Sequence, residues 1–329
     1  MKTMKAGVIF LCLLVLCGCK RELFRHTEGK IYGTYYRIVY ESAEVLDRPL
    51  LEQMERVNAS LSMFNPRSVI SRLNRNESCR TDSLFNRMFR MAVEVNGETR
   101  GAFDITVGPL VNAWGFGYKK GVMPTPERID TLLQWVGLDK LRLQGDSLVK
   151  CFRETEMDAS SIAKGLGVDL AAEYLEARGV KNYMVDIGGE IRVKGKSGKG
   201  RAWRIGIDKP IEDPELLNRE LQFIISMKNG ALATSGNYRN FYVKEGKKYA
   251  HTISPYTGYP VQQEVVSSTV YAPTCMEADA YATAFMVLGL EAAKEVMANH
   301  PGLEACLIYV RDGVPETWMT EKFKTFVAD

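Results

Sequence analysis

The strongest constraint on this chain is a repeated change of period in its apolar residues. Stretches that alternate every second residue are interrupted by stretches that recur every three or four. Gly33 to Tyr40 alternates as a strand does, whereas Leu50, Leu51, Met54, Val57 and Leu61 fall on one side of a helix. Ser83 to Thr99 continues in the helical period and stops near Gly97 or Gly101, and Thr125 to Val136 carries Pro126 in its first turn, where proline is tolerated. Ile162 to Arg178 is a further, long helical stretch closed by Gly179. Strand patterns follow at 182–187, 203–208, 221–227, 240–243, 265–272 and 305–310, with a further helical stretch from Asp279 to Asn299 before the last of these. Helices interleaved with short, turn-linked strands of this kind predict an α+β fold. The pattern does not give the order of the strands.

At the N-terminus, Lys2 and Lys5 precede an apolar run from Ala6 to Cys17 that ends in Leu16-Cys17-Gly18-Cys19. Such a run reads as an export signal and is too short for a bilayer-spanning helix, which needs about 20 residues. A small residue directly before Cys19 resembles the bacterial lipobox. This makes residues 1–18 a signal peptide, Cys19 the lipidated first residue and the polar residues 19–30 a tether for a domain from 31 to 329. Removing residues 1–18 takes away two of the 43 basic residues and none of the 40 acidic ones. That near balance argues against nucleic-acid binding. Cys79, Cys151, Cys275 and Cys306 form no CxxC pair, which argues against a structural zinc site.

Several segments have a chemical reading beside a structural one. In 275–285, Asp279 and Thr283 lie four apart, so a carboxylate and a hydroxyl share a helix face and can meet one hard cation or simply face solvent. His251 stands before Pro255 and Gly258, where it is either a packed loop residue or a base for a hydroxyl nucleophile. Asp158-Ala-Ser-Ser-Ile-Ala-Lys164-Gly-Leu-Gly167 begins with a residue suited to cap a helix and carries one lysine. It is a plain cap or a phosphate-binding helix start, with Gly165 and Gly167 placed where bulk would block approach. Gly101 to Gly117 packs glycines, aromatics and Asp104 into a segment that walls a flat ring or forms a buried turn. Asp186-Ile-Gly-Gly-Glu190 ends a strand in a tight hairpin or in a backbone surface against a ligand. The turn at 234–240 is polar, with hydroxyls and one arginine, and either faces a phosphate or is an ordinary turn.

Together these segments resemble the ApbE family, the FAD:protein FMN transferases, from about Gly33 to Gly289. The likeness also takes in Leu61-Ser-Met-Phe64-Asn-Pro and Ser71-Arg-Leu-Asn74. It implies a two-lobed, T-fold-like α+β architecture with FAD in a central cleft and Mg²⁺ near its pyrophosphate. Carried over residue by residue, it makes Asp279, Thr283 and the Ser161 carbonyl the metal ligands. Tyr32, Phe64, Ala102, Phe103, Asp104, Asp158, Lys164 and Ile253 become flavin-nucleotide contacts, with His251 and Asp279 catalytic. The family often has methionine where Tyr32 stands, and aspartate where Ser254 stands. The activity implied is transfer of FMN from FAD to a threonine of an extracytoplasmic flavoprotein, releasing AMP, by an enzyme tethered through Cys19 to a membrane facing the periplasm. FAD hydrolysis to FMN and AMP, or FAD carriage without turnover, would use the same cleft.

Overall fold

The computed structural model describes residues 24–119, 123–211, 220–238, 241–244 and 247–328. Its centre is an eight-stranded sheet of Phe24–Ile31, Thr34–Glu41, Tyr183–Ile187, Glu190–Lys194, Asn229–Gly236, Val265–Ala272, Glu304–Arg311 and Val314–Met319. Spatial order follows chain order, and every neighbouring pair is antiparallel. Antiparallel neighbours need no crossover, so all other elements are insertions at strand ends. Between Glu41 and Tyr183 the chain leaves to build a helix-rich lobe; between Lys194 and Asn229 it forms the hairpin Trp203–Asp208/Leu221–Met227. The helices Cys275–Leu288 and Leu290–Asn299 fill the interval between Ala272 and Glu304.

The helices Asp47–Leu61, Ala163–Ala177 and Cys275–Leu288 cover one face of the sheet, and the hairpin covers the other with Val39, Ile191, Val193, Trp203, Ile205 and Ile225. The first helix is amphipathic, burying Leu50, Met54, Val57 and Leu61, each contributing about 1.5–3 kcal/mol. Cys275–Leu288 is buried on nearly all sides, because it lies between the sheet and the helical lobe. Thr274 caps it by accepting the Glu277 N–H, and Gly289 at φ +77° ends it. The single helix expected from Asp279 to Asn299 is therefore two, broken at that glycine.

Another expectation is also corrected. Residues 24–30, read from their polarity as the end of a tether, form an edge strand paired residue for residue with Thr34–Glu41. An edge strand keeps one face in solvent, which explains why so many of its residues are polar. Cys19 and the export signal lie outside the described residues.

Candidate active site

In a sheet whose strands follow chain order, alternate connections fall at the same end. That brings the Tyr32-Gly33 turn, the Gly188-Gly189 turn and the 236–265 excursion carrying His251 to one end. A cleft of about 1410 Å³ opens there, between this end and the helical lobe. All the site residues expected from the sequence line it except Tyr32.

The centre of the cleft is a cluster of oxygens around one lysine. Asp279 is almost fully buried, and its Oδ2 accepts the Gly165 backbone N–H at 2.9 Å. Gly165 is the third residue of the helix that begins at Ala163, so its N–H has no partner within the helix. Asp279 supplies that partner, and Ser161, just ahead of the helix, lines the same cleft. Thr283, one helical turn beyond Asp279, shares a hydrogen bond of 3.1 Å with Ser235. If Thr283 is the donor, its oxygen lone pairs remain open to the cleft. Lys164 donates to Glu190 Oε1 at 2.5 Å, while Glu190 Oε2 is buried without a partner.

Burial sets the charges here. It pushes the Glu190 carboxyl up to about 7, against the pull of the Lys164 ammonium. The same burial would lower Lys164, but the Glu190 and Asp279 carboxylates outweigh it and hold the ammonium at about 12. Asp279 is also raised by burial, with Lys164 and the Gly165 N–H opposing. Among the described residues no group of three or more His, Cys, Asp or Glu side chains is placed to hold a metal ion. A cation would instead meet mixed oxygens, namely the Asp279 carboxylate, the Thr283 hydroxyl and the Ser161 backbone carbonyl that the resemblance names. That donor set suits a hard ion such as Mg²⁺, and the orphaned Glu190 oxygen marks the same space as built for an occupant.

The ApbE family model matches residues 32–307. The chain belongs to the ApbE family. A Vibrio cholerae protein named FAD:protein FMN transferase is 38% identical over 328 residues, covering 96% of this chain and 97% of the relative. A Haemophilus influenzae protein of the same name is 38% identical over 343 residues, covering 98% of each. The solved flavin transferase ApbE from Vibrio cholerae superposes with a TM-score of 0.82 at 37% identity, over 92% of this chain and 99% of that one. The α+β class read from the sequence holds.

Around the oxygen cluster, this ApbE-family chain fixes its cleft walls through backbone contacts. Asn74 clamps Met157 by a reciprocal pair of 2.8 Å bonds, and the Asp158 N–H donates to the Ile105 carbonyl at 2.6 Å. Asp158 is not the helix cap that its position suggested. The helix starts five residues later, at Ala163, and Asp158 Oδ1 accepts from the Ser160 N–H and hydroxyl instead. Asp104 accepts from the Thr106 N–H and hydroxyl and from the Leu138 N–H, and burial raises its carboxyl. Ala102 and Phe103 are buried beside it, Ile253 is buried opposite, and Phe64 is exposed at the rim.

His251 sits at the end of a file of aromatic rings. Phe116 meets it edge-on at 6.5 Å and stacks on Tyr242, which stacks on Tyr249, which stacks on Trp114. The aromatics of 101–117 thus serve partly as the support of the histidine loop.

Tyr32 is the exception among the expected contacts. Its hydroxyl donates to the Met54 carbonyl at 2.6 Å and its ring packs into the core against Gly167. That packing also corrects the reading of the two helix glycines. A Cβ on Gly167 would meet the Tyr32 ring at 2.7 Å, and one on Gly165 would meet the Cys275 carbonyl oxygen at 2.4 Å. Both make room for protein rather than for ligand. Glu190 and Ser235 were not singled out from the sequence as site residues. The signal for Glu190 was the Gly188-Gly189 pair itself, since the hairpin turns the next residue inward.

Proposed function

We propose that this chain is a FAD:protein FMN transferase that moves FMN from FAD to a threonine hydroxyl of an acceptor protein, releasing AMP. The observation that carries the reading is the convergence of Ser161, Lys164, His251, Asp279 and Thr283 on one cleft, in a chain whose relatives bear that name. The Ser161, Asp279 and Thr283 oxygens would hold Mg²⁺, which when bound supplies positive charge against the pyrophosphate and the departing AMP.

The chain's own groups do the rest. Lys164, kept protonated, and the start of the helix Ala163–Ala177 present positive charge to the phosphates. Ala102, Phe103 and Ile253 give an apolar wall for the flavin ring. The acceptor oxygen attacks the flavin-side phosphorus, its proton passes to the His251 imidazole, and the phosphorus–oxygen bond to AMP breaks. Phe116 packing edge-on limits the rotation of that imidazole.

Mass spectrometry of a small acceptor domain with an exposed threonine, incubated with the enzyme, FAD and Mg²⁺, tests this. The expected result is an acceptor carrying one FMN, with AMP appearing in equal amount. AMP with an unmodified acceptor would replace the transferase by a FAD hydrolase, and neither product would leave a FAD carrier. Among the described residues no helix is long and apolar enough to cross a membrane. We place the enzyme on a membrane facing the periplasm, held by lipid on Cys19, from the lipobox-like Leu16-Cys17-Gly18-Cys19. Membrane partitioning that survives Cys19→Ser would remove that anchor.

A further inference from the structure

In the cleft, the Lys164 ammonium is bonded to one carboxylate and feels the charge of a second. Lys164 donates to Glu190 Oε1 at 2.5 Å, and the Asp279 carboxylate acts on the same ammonium. Lys164 is the chain neighbour of Gly165, whose N–H is bound to Asp279. A lysine head on four methylenes can swing to either acid. The choice matters, because an ammonium resting on Asp279 takes up the negative charge that a divalent cation needs.

Glu190 is the fixed member of the trio. It opens the strand Glu190–Lys194, pairs with Ile187 across a turn whose two glycines both have positive φ, and is 2% exposed. Its Oε2 has no partner, and its Oε1 is held by Lys164.

We propose that Glu190 is a positioning residue that holds Lys164 off Asp279 and so keeps the Asp279 carboxylate open to a divalent cation. This rests on the cation reading of the cleft given above. Without Glu190, Lys164 pairs with Asp279 and competes with the metal. Without Lys164 there is no competitor, and Glu190 no longer matters for the metal.

A binding cycle separates this from simpler roles. Mn²⁺ is the probe, titrated by electron paramagnetic resonance into the folded chain without nucleotide. The proteins are wild type, Glu190→Ala, Lys164→Met and the double variant. Glu190→Ala is expected to bind Mn²⁺ about 10–100-fold more weakly than wild type, the usual effect of losing a group that orients a metal ligand. The double variant is expected to match Lys164→Met. Such coupling is the signature of one residue acting through the other. Additive effects would reduce Glu190 to a distant charge and overturn the proposal. Should Glu190→Ala fail to fold, Glu190→Gln runs the same cycle, with a smaller expected loss and the same criterion. Wild-type protein that binds no Mn²⁺ would overturn the cation site and this proposal together, whereas wild-type binding unaffected by Glu190→Ala overturns this proposal alone.

Discussion

Asp279 does two jobs with two oxygens. One accepts the Gly165 N–H and fixes the start of the helix Ala163–Ala177, and the other faces the cleft. Asp279→Asn separates them, because the amide oxygen still accepts from Gly165 while the charge is gone. We expect the variant to unfold within a few degrees of wild type and to release AMP at least about 10²-fold more slowly, the scale of losing one electrostatic contact to a transition state. Thermal unfolding and AMP release check the two halves, and unchanged release would take Asp279 out of the chemistry. The spacing of Asp279 and Thr283 made their shared helix face legible in the sequence. The Ser161 carbonyl was reached only through the family resemblance, since a backbone oxygen has no signature of its own. The bond that fixes the helix start beside it joins residues 114 positions apart and depends on tertiary packing.

At the scale of elements, the Gly188-Gly189 turn links the sheet to the site. Gly188 has φ +66°, and a Cβ there would lie 2.8 Å from Thr34 Cγ2 on the neighbouring strand. Gly188→Ala is therefore expected to cost about 1–2 kcal/mol in left-handed strain, with the Thr34 collision added. Because Glu190 follows directly, FAD turnover should fall along with stability. Urea unfolding and AMP release report these, and full stability would mean that the turn can re-form around the methyl group. The hairpin was legible because two glycines after a strand leave few alternatives. The break at Gly289 was not, since one glycine inside a continuous helical pattern looks like a tolerated guest until the chain around it is folded. Strand order was hidden for a related reason. Thr34–Glu41 pairs with Tyr183–Ile187 across an insertion of more than a hundred residues, and local periodicity holds no record of its partner.

For the whole molecule, the edge strand Phe24–Ile31 decides where the folded unit begins. It pairs along its full length with Thr34–Glu41, buries Ile31, and lays Gly29 against the Tyr36 ring, where a Cβ would come within 2.8 Å. Burying Ile31 alone is worth about 1.5–3 kcal/mol, and the ladder bonds add to it. The strand also covers a hazard. Thr34-Tyr-Tyr-Arg-Ile-Val-Tyr-Glu41 is rich in aromatic and β-branched residues, and as a bare edge it would offer its backbone to another chain. A chain beginning at Arg21 keeps the cover, whereas one beginning at Tyr32, close to the boundary that polarity suggested, loses it. The shorter chain is expected to unfold at clearly lower urea and to self-associate, while the longer one stays monomeric with full FAD turnover. Urea titration with sedimentation velocity compares them. Equal stability and a monomeric short chain would mean that the first strand is an accessory to the sheet, and that the next strand is protected by its own Arg37 and Glu41 charges.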